Sequence, residues 1–137
     1  MTALIEPFLA YGPYIALLVR VVVGGTLMIH GLPKLKSRES ANWMKSMGLP
    51  GASATLAGIL EFFGGLFLVI GLIVPVVALF FAIQFAAIAL MKKIKMNASY
   101  VVAGKPSYEI DILYLLFSLV LIVLGAGVLS IDGLISL

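Results

Sequence analysis

Long apolar stretches alternate along the chain with short polar segments that carry almost all of its charge. The first apolar stretch, 14–31, is entered at Pro13 and closed by Pro33, where a helix ordinarily ends. Residues 34–50 then bring Lys34, Lys36, Arg38, Glu39 and Lys45 around Trp43, Met44 and Met47. That pattern suits a short amphipathic helix lying at a membrane interface, with Trp43 as its anchor. From Ala54 to Met91 the strongly polar residues are Glu61 and Gln84 alone. A single straight helix over that length would measure about 57 Å, nearly twice a hydrocarbon core of roughly 30 Å, so it must fold back. Gly71 and Pro75 mark the reversal, which predicts a second span at 54–74, capped by Ser53, and a third at 75–91. Lys92, Lys93, Lys95 and Lys105 form a second basic segment. Pro106 and a capping Ser107 then introduce a fourth span at 110–129, which turns polar again at Ser130 and Asp132.

Composition turns this pattern into a fold class. Of 137 residues, 63% are hydrophobic and 11% charged, too little polar surface to coat a water-soluble globule. The expectation is an all-α integral membrane four-helix bundle, a single transmembrane domain with the short interfacial helix between spans 1 and 2. The N-terminus has Glu6 and no basic residue before Arg20, unlike a cleavable signal peptide, so the first stretch is expected to stay as a span and the chain to be used whole. Of nine Lys and Arg residues, all but Arg20 fall in the two loops that four spans place on one side. This predicts a multi-pass cell-membrane protein with both termini away from the cytoplasm. It also accounts for the net charge of +3 as topology signals and contacts to anionic lipid, not nucleic-acid binding. The absence of cysteine excludes disulfide exchange, thiolate-bound metal and iron–sulfur clusters on this polypeptide. A single His argues against a protein-held haem, and no metal site or covalently bound cofactor is expected.

Charge within the spans is the candidate chemistry. An ionised side chain near the bilayer centre costs about 2.5–3.5 kcal/mol by insertion scales, so Arg20 and Glu61 should face the bundle interior. At 100° per residue Arg20 shares its face with Gly24, Leu27, Gly31 and Lys34, with His30 beside it. Glu61 shares its face with Ala57, Gly58, Gly64, Gly65 and Leu68. Small residues around a charge let helices approach closely, so Gly24, Gly31, Gly64 and Gly65 are read as helix contacts. Arg20, His30 and Glu61 are expected to form one polar cluster, with Tyr114, Asp111 and Gln84 as further interior candidates and Lys34 at the cytoplasmic rim. Two readings stay open. The cluster is an internally satisfied network that fixes helix register, or it lines a pocket for a polar headgroup such as a quinone, or relays protons. Gln84 also reads as a helix-to-helix hydrogen bond, and Asp111 as an acid favoured at a helix N-terminus.

The order Arg20, then His30-Gly31-Leu32-Pro33-Lys34, Gly48-Leu49-Pro50, Glu61-Phe62-Phe63-Gly64-Gly65 and Gly71-Leu72 resembles the DoxX family of small four-span membrane proteins. Tyr108-Glu109 and Gly125-Ala126-Gly127 extend the likeness over nearly the whole chain. The resemblance implies a membrane subunit related to the small subunit of thiosulfate:quinone oxidoreductase, and it points at Arg20, His30, Lys34, Glu61, Gly64 and Gly65. A family His near the end of the third span is Lys92 or Lys93 here. The leading expectation is an accessory, non-catalytic subunit in lipid, associated with another membrane protein or complex, such as a redox complex, that it stabilises or anchors. One alternative is a quinone-reactive oxidoreductase subunit whose electrons come from a partner. Another is a small transporter or lipid-binding protein, and a homo-oligomer is the other assembly allowed.

Overall fold

The computed structural model describes residues 6, 7 and 9–135. Among the described residues six helices have both ends delimited: α1 Gly12–Lys36, α2 Arg38–Ser46, α3 Ala52–Ile70, α4 Val74–Lys95, α5 Glu109–Leu124 and α6 Ile131–Leu134. The described residues contain no strand beyond an isolated bridge between Ser99 and Ser107, so the all-helical expectation holds. Helices α1, α3 and α4 are long and apolar enough to cross a membrane. The fourth long helix, α5, has 16 residues and measures about 24 Å. Outward faces are hydrocarbon: Leu18, Ile29, Val76, Ile83 and Val123 are each more than half exposed, an arrangement suited to lipid and not to water.

Element boundaries differ from the expected spans for local reasons. Pro33 sits inside α1 instead of ending it, because the final turn is held from outside by the bond of Lys34 to α3. Ser53 does not cap α3, which starts at Ala52 with Gly51 before it. Helix α3 stops at Ile70, earlier than expected, since Gly71 takes a left-handed conformation (φ 74°) and its N–H and that of Leu72 bond back to Phe67. A side chain at position 71 would collide with the Arg20 guanidinium and Ser130, so glycine is required twice over. Helix α4 runs on to Lys95, where cationic side chains favour a helix C-terminus, and Lys95 Nζ donates to the carbonyl of Met47 beside α2. Helix α5 follows Tyr108 and not a Ser107 cap, and it ends at Leu124, not 129. Gly125 there adopts φ 66°, ψ −162°, a region open only to glycine.

Two antiparallel pairs build the bundle, α1 with α3 and α4 with α5, each packed more closely within itself than against the other. In the first pair the backbones touch through glycine. A Cβ on Gly24 would lie 2.5 Å from the carbonyl oxygen of Gly65, and one on Gly31 2.7 Å from that of Gly58. Gly64 instead makes room for the ring of Phe81 on α4. The core between the pairs is formed by Val23, Leu27, Leu68, Phe81, Phe85 and Leu121 with their neighbours. Beneath α2, whose N-cap Ser37 accepts from the N–H of Glu39, Met44 and Met47 are buried.

At the end away from the basic loops, the chain returns to close the α3–α4 turn. Ile73 precedes α4 with φ 46°, a costly conformation for a β-branched residue, and its side chain cannot cap the helix. Asp132 does so from far along the chain: its carboxylate accepts from the N–H groups of Ile73 (2.6 Å) and Val74 (2.9 Å), while its own N–H donates to the carbonyl of Gly71. Replacing Asp132 by Ala should therefore cost about 1–2 kcal/mol, the worth of a helix cap, and should free the α3–α4 turn. Faster amide exchange at Ile73 and Val74 would report it; unchanged exchange at both would show that the cap is not held this way.

Candidate functional site

The glycine register fixes what each polar side chain can reach. With Gly24 opposite Gly65 and Gly31 opposite Gly58, Glu61 is level with Met28, and Arg20 lies about 12 Å farther from the basic end. Helical side chains lean toward their own N-terminus, so Arg20 leans away from Glu61 whereas Lys34 leans toward it. Arg20 accordingly does not join His30 and Glu61. It is fully buried at the opposite end, where Nη2 donates to the carbonyl of Leu129 at 2.6 Å, and Nε and Nη1 have no hydrogen-bond partner among the described residues. The partner of Glu61 is Lys34, expected only at the rim: its Nζ lies 2.6 Å and 2.7 Å from the two carboxylate oxygens. Gln84 completes the set by donating to Glu61 Oε1 at 2.7 Å, a bond from α4 to α3.

A second ion pair repeats the arrangement in the other helix pair. Lys92 Nζ of α4 lies 2.6 Å from Asp111 Oδ2 of α5 and also donates to the carbonyl of Ser107. Asp111 is buried, so it does more than favour a helix N-terminus. Both ion pairs open onto one cavity of about 610 Å³ at the basic end of the bundle. The cavity is walled by Leu27, Phe85, Ile88 and Ile110, and roofed from the interfacial helix by Trp43 and Met44. Tyr114 stacks on Phe85 (ring centroids 4.7 Å) and meets the exposed His30 edge-on (6.0 Å), and both rings line the space.

Five candidate residues thus meet at the cavity: Lys34, His30, Glu61, Asp111 and Tyr114. Gln84 stands behind Glu61, Arg20 is elsewhere, and Gly24, Gly31 and Gly65 set the α1–α3 contact with Gly58, which belongs beside them. Lys92 and Trp43 also line the cavity, beyond the residues that the sequence points to. The signal for Lys92 in the sequence is the family resemblance, which implies a His at Lys92 or Lys93 without choosing between them. Among the described residues no group of three or more His, Cys, Asp or Glu could hold a metal. The cavity can accept a molecule with an apolar ring and polar edges: aromatic and aliphatic walls for the ring, ammonium and phenol donors for oxygen.

Residues 15–93 match the DoxX family, more than half of the chain. The chain belongs to the DoxX family. The match covers Arg20, His30, Lys34, Glu61, Gln84 and Lys92, while Asp111 and Tyr114 lie beyond it. This DoxX chain is also 31% identical over 117 residues to a Bacillus subtilis (strain 168) protein named putative oxidoreductase CatD, covering 85% of the chain and 83% of that relative. No solved structure matches it.

Proposed function

We propose that this DoxX chain is a cell-membrane subunit that binds a quinone head in its basic-end cavity and works beside a partner protein carrying the redox cofactor. The observation behind it is the convergence of two Lys–carboxylate pairs, Tyr114 and His30 on one apolar-walled cavity of about 610 Å³. Buried charge is costly enough that two pairs facing one space favour a binding site. The name of the Bacillus relative adds weight to a redox role. In this reading the chain crosses the membrane four times, and the Lys and Arg residues of the two basic loops support a cytoplasmic face for those loops and the cavity. Quinone reduction takes up two electrons and two protons. The electrons come from the partner, since this chain has no cysteine and one His, and the Lys34–Glu61 and Lys92–Asp111 pairs and Tyr114 hold oxygen and hand over protons.

Trp43 is the single tryptophan and lines the cavity, so it reports occupancy directly. Titrating the purified protein with a fully substituted, untailed benzoquinone should quench Trp43 with saturation, and a strictly linear, collisional response would sink the reading. Gentle extraction followed by mass spectrometry should bring out a stoichiometric redox partner; a lone bundle would remove the subunit half of the proposal.

One observation favours a second reading. Glu61 has both oxygens satisfied by Lys34 and Gln84, as a group used only to lock helix register would be. In that reading the chain anchors or stabilises its complex and the cavity binds no quinone.

A further inference from the structure

A second, smaller opening adjoins the cavity on the lipid-facing surface. It is a groove of about 200 Å³ between α1 and α5, floored by the buried Val23 and edged by Val22, Thr26, Leu113 and Phe117. Apart from the hydroxyls of Thr26 and Tyr114 its walls are hydrocarbon, and Thr26 spends its hydroxyl on the carbonyl of Val22. Ile110 and Tyr114 belong to the walls of both groove and cavity, so the two spaces meet at these side chains. The seam lies between the two helix pairs, where packing is sparse: α1 packs closely on α3 and α5 on α4, but α1 and α5 touch sparingly, as do α3 and α4. From Ile110 to Phe117 the groove follows about 10 Å of the α5 axis, from the basic end toward the bundle middle.

We infer that the α1–α5 seam is a lateral portal, and that the cavity's ligand is an amphiphile whose polar ring passes Tyr114 from the bilayer while its apolar tail remains in the groove. This rests on the quinone-head reading of the cavity and narrows it to tailed, membrane-borne quinones. Lipid tails are as apolar as the groove, so the groove contributes little transfer free energy and acts by geometry. It lets a lipid-dissolved molecule present its head to Lys34 and Lys92 without its tail crossing the interface. The Tyr114 ring, stacked on Phe85 and meeting His30, stands between the tail's path and the polar pocket.

The test uses the full chain in phospholipid nanodiscs. One probe is a fully substituted benzoquinone with a decyl chain bearing a mid-chain diazirine, the other a phospholipid with the same diazirine in its acyl chain. Photolysis of the tailed quinone should concentrate label on Val22, Leu113 and Phe117. Untailed benzoquinone at about ten times its own Kd should cut that label about tenfold by occupying the cavity. The phospholipid should label exposed residues on all faces, Val123 and Ile94 included, insensitively to the untailed quinone. Tailed-quinone label that spreads like the phospholipid's, or that resists competition while Trp43 quenching still saturates, overturns the portal and leaves the cavity reading standing. Absence of saturable Trp43 quenching overturns both.

Discussion

Gly65→Leu should abolish the folded bundle. A Cβ at this position would stand 2.5 Å from the carbonyl oxygen of Gly24 and 3.1 Å from the backbone nitrogen of Met28, atoms that cannot turn aside as a side-chain tip can. Overpacking a core typically costs about 1–3 kcal/mol when neighbouring side chains can shift. Here the whole α1–α3 seam must open, giving up the close contact at Gly31 and Gly58 as well and separating Lys34 from Glu61. The expected loss is therefore at the top of that range or beyond, about 3 kcal/mol or more. Gly25→Leu is the matched control, one residue from Gly24 but with nothing within 4 Å of a Cβ. It should keep or raise stability, because leucine is the better helix former by about 0.8 kcal/mol. Size-exclusion profiles and unfolding midpoints of the two detergent-solubilised variants check this. A Gly65→Leu protein that elutes and unfolds like the parent would mean that α1 and α3 do not meet through these glycines.

Those glycines were readable in the sequence because helical periodicity alone puts Gly24 and Gly31 on the Arg20 face and Gly58 and Gly65 on the Glu61 face. The same holds for the spans and the basic loops, which follow from runs of residue type along the chain. What periodicity does not carry is depth, the level at which one helix faces another. Lys34 was placed on the Arg20 stripe yet left at the rim, and only the glycine register, with the lean of side chains toward helix N-termini, brings its ammonium to Glu61 in place of Arg20. Asp132 was a polar residue at the end of a span. Its role as the cap of α4 depends on a fold-back across more than fifty residues that no local signal announces. Trp43 was expected at the lipid interface from its type and position, and whether it also roofs a cavity depends on where α2 lies over the bundle. Ser53 and Ser107 show the opposite error: good capping residues one or two positions from helix starts that the structure leaves without a side-chain cap.

Lys34→Met should be the most damaging single change in the cavity, and adding Glu61→Gln should undo the damage. The asymmetry comes from burial: the Glu61 side chain is 1% exposed and that of Lys34 27%. Removing the ammonium leaves an almost wholly buried carboxylate with Gln84 as its remaining donor, and breaking a buried pair in this way costs about 3–5 kcal/mol. Glu61→Gln alone is milder, because Lys34 stands at the end of α1 and can extend to the interface, as long cationic side chains near helix ends do. In Lys34→Met/Glu61→Gln neither position carries a charge, and the new amide oxygen still accepts from Gln84, so stability should return to within about 1 kcal/mol of the parent. Unfolding midpoints of the three variants test the order, and a double variant no better than Lys34→Met would show that the two residues are not coupled. The same double variant separates the two functional readings, since it is expected to fold. If the pair holds quinone oxygen, saturable quenching of Trp43 should weaken about tenfold, the effect of losing one charged hydrogen bond of about 1.5 kcal/mol. If the pair only locks α1 to α3, the double variant should quench as the parent does and still co-extract with its partner, and the binding role would then fall to Lys92, Asp111 and Tyr114 on the other wall.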